Sequence, residues 1–190
     1  MAAVGSWYTM IVGRALVIVD FQNDFTPGGA LGVPDGDAIA APVDALARSG
    51  GFDLVVATRD WHPPDHGSFA AQGGPWPEHC VQGTPGADLH PALDRSLVDV
   101  VVDKGQDPVT EGYSGFEATG LEALLRERGV DHVTVVGLAT DYCVKNTALD
   151  ALRHGFGVAV DSTATRAVEV APGDGVRALE TVRAAGAGVA

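Results

Sequence analysis

The stretch ALVIVD, residues 15–20, runs five apolar side chains straight into a carboxylate. A strand wetted on one face alternates apolar with polar residues. A run that is apolar at every position needs cover on both faces, as in a parallel sheet between layers of helix. The same signature returns as DLVVAT at 53–58, LVDVVVDK at 97–104, HVTVVG at 132–137 and FGVAVDS at 156–162. Helical patterns fill the intervals at 38–48, 116–128, 141–154 and 173–185. Strands alternating with helices predict an α/β fold: a Rossmann-like three-layer sandwich, with a mainly parallel sheet covered by helices on both faces.

With 190 residues, 46% of them hydrophobic, the chain can bury one substantial core. The expected organisation is a single domain over residues 14–190 behind an amino-terminal extension, residues 1–13. Twenty-five acidic residues against 12 Lys and Arg leave a net charge of -13, and the basic residues are scattered. Such a surface repels phosphate backbones and anionic lipid, so neither nucleic acid nor membrane is expected as a partner. Homo-oligomerisation is left open. No segment reaches membrane-spanning length, and the first residues lack the pattern of a secretory signal. Two cysteines, Cys80 and Cys143, are too few for a disulfide framework, which points to a reducing cytoplasm.

In sheets of this kind, ligands bind beyond the carboxyl ends of the strands. Asp20 ends the first apolar run, Asp60 closely follows the second, Lys104 ends the third, and GLATDYC at 137–143 leads from the fourth into a helix. Any one of these could be only a cap or turn residue. Four from distant positions, at one sheet edge, form a candidate site. Cys143 falls in the first turn of the expected helix, where unpaired amides and the positive dipole end favour a thiolate. The competing reading is a structural, buried cysteine. Asp20 could take the thiol proton, and Lys104 could hold both ionised partners.

The long loop DWHPPDHGSFAAQGGPWPEHCVQGTPG, 60–86, carries Asp60, His62, His66 and His79. Asp60 and His62 are alternate residues of an extended segment, so their side chains share a face, whereas His79 has to fold back to join them. One carboxylate with two or three imidazoles suits one divalent ion: zinc first, with iron or manganese as alternatives.

Together VDFQNDF (19–25), DWHPPDHGSF (60–69), WPEHCVQGTPGADLH (76–90), KG (104–105), YSGF (113–116) and GLATDYCV (137–144) resemble the nicotinamidase/pyrazinamidase family, within the isochorismatase-like hydrolases. The resemblance runs from about Arg14 to the carboxyl terminus. It implies hydrolysis of nicotinamide to nicotinate and ammonia through a thioester, with pyrazinamide as a surrogate substrate. By it, Cys143 is the nucleophile, Asp20 the base and then the acid, and Lys104 their electrostatic partner. Asp60, His62 and His79 are the implied metal ligands, with His66 either a further ligand or a residue behind them. The amides of Ala139 and Cys143 are the implied oxyanion hole, beside a cis peptide between Leu138 and Ala139. Phe25 and Trp76 flank the ring, and Tyr113 closes the pocket. Some members carry histidine where this chain has Tyr142, which puts pocket polarity in question. The alternatives are a metal-water amidohydrolase with a structural Cys143, an amidase for another small amide such as a carbamoyl compound, and a non-catalytic binding module.

Overall fold

The structure, a computed structural model, describes residues 13–190. The expected extension therefore lies outside the described residues, except for Gly13, which opens the first strand. Among the described residues six strands form one sheet: β1 (Gly13–Val19), β2 (Leu54–Asp60), β3 (Val100–Lys104), β4 (Val130–Leu138), β5 (Gly157–Arg166) and β6 (Gly188–Val189). Their order is β3-β2-β1-β4-β5-β6, and every pairing is parallel. Four α-helices accompany them: α1 (Ala40–Arg48), α2 (Leu121–Glu127), α3 (Lys145–Arg153) and α4 (Asp174–Ala184).

The all-apolar strands do divide their side chains between two cores. Leu16, Ile18, Val55, Ala57 and Val136 pack on one side with Ile39 and with Val43 of α1. Ala15, Val17, Val56, Val133 and Val135 pack on the other, against Leu121 and Leu125 of α2, Ala148 and Ala151 of α3 and Val182 of α4. The three-layer expectation holds, with one face carrying three helices and the other carrying α1 and loops. Truncating a fully buried side chain such as Leu125 would cost about 2–5 kcal/mol.

Two later element starts and one unexpected strand are among the differences from the sequence reading. β3 starts at Val100 instead of residue 97, because the Asp94 carboxylate accepts the Ser96 amide at 3.0 Å and caps a short turn over Arg95–Leu97. α2 starts at Leu121 instead of 116: Ala118 takes φ 53°, which no continuous helix permits, and the Thr119 hydroxyl accepts the Leu121 amide at 3.2 Å. β6 has only two residues, too few to leave a pattern.

From β1 the chain crosses to β2 on one side, and from β4 it crosses to β5 on the other. That reversal between adjacent strands opens a crevice at their carboxyl ends. The segments leaving β1 and β4 carry Asp20 and Cys143 into it.

Candidate active site

Asp20 follows the last residue of β1 and turns the chain out of the sheet with φ 45°. Its amide donates to the Thr58 carbonyl at 3.2 Å, and the Thr58 hydroxyl donates to one carboxylate oxygen at 2.6 Å. The other oxygen, Oδ2, takes no aligned hydrogen bond among the described residues, although Lys104 Nζ stands 2.8 Å away. The contact is ionic, and it leaves a lone pair open to a proton.

Asp60 ends β2 and lies in register with Lys104 at the end of β3, so the pair faces the crevice side by side. Lys104 Nζ contacts the Asp60 carboxylate, donates to the Gly112 carbonyl at 2.7 Å and reaches Cys143 Sγ at 3.6 Å. One buried ammonium thus touches Asp20, Asp60 and Cys143. Cys143 itself sits on a wide helical turn, Thr140–Val144, in which the Val144 amide reaches back to the Ala139 carbonyl at 3.1 Å. The peptide bond between Leu138 and Ala139 is cis, as the resemblance implied.

Burial and the charge of Lys104 compete in setting the charges here. Burial raises the Asp20 carboxyl to about 6, against the opposing pull of Lys104. It also acts to raise Asp60, but there Lys104 and His62 win and hold the carboxyl below its usual range. Burial would lower Lys104, yet Asp20 and Asp60 keep its ammonium well above its ordinary value. The Cys143 thiol is pushed well up by burial, with Lys104 only partly offsetting this. That corrects the expectation of a resting thiolate. Cys143 is 6% exposed and stands beside two carboxylates, and both features disfavour a thiolate.

The 60–86 loop folds back as expected. His62 and Val81 form a strand-like bridge, the His62 amide donating to the Cys80 carbonyl at 3.0 Å and the Gln82 amide to the His62 carbonyl at 2.9 Å. This return brings His79 beside Asp60 and His62, and one ligand atom from each lies within 4.8 Å of the others. His62 Nδ1 donates to the Gly105 carbonyl at 2.8 Å, and His79 Nδ1 donates to the Pro77 carbonyl at 2.7 Å. Carbonyl partners require the Nδ1–H tautomer, which leaves each Nε2 with a free lone pair, the arrangement in which histidines bind metals. Burial lowers His79 further, keeping it neutral. The donor set therefore fits a divalent ion. Gly105 is needed here: its φ is 64°, and a Cβ would come within 2.5 Å of the His62 ring.

His66 lies next to this group but not in it. Its ring centroid is 4.0 Å from that of His62, its Nδ1 is engaged by Ser68 Oγ at 2.7 Å, and its buried Nε2 has no hydrogen-bond partner among the described residues. Burial, reinforced by His62, lowers it to about 4.

The two clusters share a pocket lined by Asp60 and His79 from the one, Cys143 from the other, and Ala139. Phe25, Trp76 and Tyr113 line it, as the resemblance implied. The Trp76 indole donates to the Tyr113 hydroxyl at 2.9 Å. Leu31, Tyr142 and Val168 also line the cavity; the sequence reading tied Tyr142 to the polarity of the pocket but missed Leu31 and Val168. Val168 carries no motif: it is held there because the Asp141 carboxylate accepts the amides of Val168 and Glu169 at 2.9 and 3.0 Å.

Comparison with known proteins agrees with this geometry. The model of the isochorismatase domain matches residues 14–190. A nicotinamidase/pyrazinamidase of Mycobacterium tuberculosis is 49% identical, over 90% of this chain and 95% of that protein. The pyrazinamidase of Pyrococcus horikoshii, solved in complex with zinc, is 47% identical with a TM-score of 0.83, covering 93% of this chain and 98% of that one. PnC1 of L. infantum, solved in complex with nicotinate, is 38% identical with a TM-score of 0.89, covering 94% of this chain and 92% of that one. The wholly parallel sheet, the crevice between β1 and β4 and the match along almost the entire described chain lead to one conclusion: this protein belongs to the isochorismatase family.

Proposed function

We propose that this chain is a nicotinamidase, converting nicotinamide to nicotinate and ammonia, and that it also accepts pyrazinamide. The observation that carries the proposal is one buried ammonium, Lys104, in contact with Asp20, Asp60 and Cys143, so that a thiol–carboxylate pair abuts an Asp-His-His donor set. Relatives named for this activity, 49% identical in one case, support the substrate. In this reading Cys143 is the nucleophile, Asp20 the base and Lys104 the electrostatic partner of both. Asp60, His62 and His79 hold one divalent ion, zinc in the first instance, and His66 backs the group.

Asp20, raised to about 6, is ionised at neutral pH yet basic enough to accept the thiol proton. As Cys143 Sγ bonds to the amide carbon, its proton passes to Asp20 and the carbonyl electrons move onto oxygen. The amides of Ala139 and Cys143 are the proposed donors to that oxyanion. Collapse breaks the C–N bond while Asp20 returns the proton to the departing nitrogen, which leaves as ammonia. Water then attacks the thioester, delivering one proton to Asp20, and the second collapse returns that proton to the sulfur and releases the carboxylic acid, which ionises to carboxylate by giving its proton to the ammonia or the solvent. A divalent ion on Asp60, His62 and His79 would supply a Lewis-acidic anchor for the ring nitrogen. Phe25, Trp76 and Tyr113 enclose the ring and exclude water.

A structural Cys143 is the weaker reading, since the residue lines the cavity and its sulfur faces Lys104. Among the described residues no helix is long and apolar enough to cross a membrane, and the two free thiols fit a reducing cytoplasm. The test is ammonia release from nicotinamide and pyrazinamide by zinc-loaded protein. Turnover of both supports the assignment, and release from neither would overturn it.

A further inference from the structure

The motif VDFQNDF contributes Asp20 and Phe25 to the proposed chemistry, but two of its polar residues, Gln22 and Asp24, have no part in it. Both are tied to the metal-binding loop. The Gln22 side chain is fully buried and uses its whole amide: Nε2 donates to the Asp60 carbonyl at 2.8 Å and to the Ala87 carbonyl at 2.9 Å, while Oε1 accepts the Asp60 amide at 2.8 Å. Both backbone groups of Asp60 are therefore held by one side chain. The Asp24 carboxylate accepts the Cys80 amide at 2.7 Å, one residue beyond His79, and the Cys80 carbonyl in turn accepts the His62 amide at 3.0 Å.

The topology explains why such a grip is needed. β1 and β2 pair through Ile18 and Ala57, and then Asp20 turns out of the ladder. The peptide groups of Asp60 on that side would be left without strand partners, at a cost of about 1–3 kcal/mol for each buried unsatisfied group. Gln22 replaces the missing strand with a side-chain amide that presents the same donor and acceptor. Cys80, held by Asp24, takes φ 46°, a left-handed conformation that non-glycine residues seldom adopt unless their surroundings impose it. Gly86 packs against the same carboxylate so closely that a Cβ would lie 2.2 Å from Asp24 Oδ2.

We propose that Gln22 and Asp24 are positioning residues that preset the metal site, Gln22 fixing Asp60 and Asp24 fixing the turn that carries His79. The proposal rests on the reading of Asp60, His62 and His79 as metal ligands. Because Gln22 lies two residues from Asp20, the clamp also sets the spacing between the proposed base and the metal-binding carboxylate. Removing groups that orient ligands typically weakens metal binding about 10- to 100-fold.

The experiment is zinc affinity, measured by competition with a chromophoric chelator on the full chain. Gln22→Asn draws the amide back by one methylene while staying polar, and Asp24→Ala removes its acceptor. Each is expected to bind zinc about 10- to 100-fold more weakly. Asp24→Asn, which retains an acceptor oxygen for the Cys80 amide, is expected to stay within a few-fold of the parent. Leu125→Ala, in the core on the opposite face of the sheet, measures what lost stability alone does to zinc affinity. Gln22→Asn and Asp24→Ala binding zinc no more weakly than Leu125→Ala would overturn the proposal. Should Gln22→Asn not fold, the Asp24→Ala and Asp24→Asn pair decides by the same comparison. His62→Ala separates the two layers of argument. If it binds zinc like the parent, the ligand reading itself is wrong; if it loses zinc while the clamp variants do not, only the clamp is wrong.

Discussion

The ammonium of Lys104 stands 2.8 Å from an oxygen of Asp20, and neither side chain has any solvent exposure. Lys104 also contacts Asp60, so a single positive charge holds two buried carboxylates. Breaking a buried ion pair from one side leaves an uncompensated charge, which costs about 3–5 kcal/mol. Lys104→Met is therefore expected to lose stability on that scale as well as activity, measured by urea unfolding. Lys104→Arg should not restore activity, because a planar guanidinium cannot reproduce the contacts of a compact ammonium. An unchanged unfolding midpoint in Lys104→Met would show that the carboxylates do not depend on that charge.

Cys143→Ala removes the proposed nucleophile while leaving Asp60, His62 and His79 in place, so turnover should vanish with zinc content unchanged. In the parent, a thiol reagent should label Cys143 before Cys80, read by mass spectrometry. Burial raises both thiols, but Cys143 lines the cavity whereas Cys80 is completely enclosed. Substantial activity in Cys143→Ala would transfer the chemistry to a metal-activated water.

Asp20→Asn preserves shape but cannot accept the thiol proton, and kcat should fall by roughly 10²–10⁴, the usual contribution of an acid-base group. The pH profile follows from the same residue. Asp20 works in its ionised form, and burial has raised its pKa above the ordinary carboxylate value to about 6. Activity should therefore be present above that pH and decline as pH falls through about 6. Zinc content recorded over the same range separates protonation of Asp20 from release of the metal. Full activity at pH 4 with zinc retained would remove Asp20 from the mechanism.

Benzamide keeps the ring shape and the amide of nicotinamide but lacks the ring nitrogen. With zinc bound, kcat/KM should favour nicotinamide, by less than the roughly 10⁴–10⁵ of a site left wholly unsatisfied, because water can replace the lost contact. Stripping the metal, or His62→Ala or His79→Ala, should erase most of that preference by depressing nicotinamide hydrolysis. Equal rates for the two amides in the loaded protein would refute ring anchoring. Equal losses on stripping would assign the ion to chemistry or structure instead.

The division between sequence and structure follows the range of the forces involved. Runs such as ALVIVD are apolar throughout, and only a sheet buried on both faces accommodates that, so the parallel sandwich was legible in one dimension. The same applies to residues placed by local register. Asp20, Asp60 and Lys104 end adjacent strands, which is why their convergence could be expected from strand ends alone. Tertiary structure decided what depends on distant backbone. Val168 enters the cavity only because Asp141 grips its amide, and Thr58 reaches Asp20 only across the β1–β2 pairing. His66 has the same residue type and loop as His62 and His79, yet it stands outside the group that Asp60 joins. The charge state of Cys143 was also beyond the motif. A helix start favours a thiolate locally, whereas desolvation, which reflects everything packed around the sulfur, pushes the proton back on.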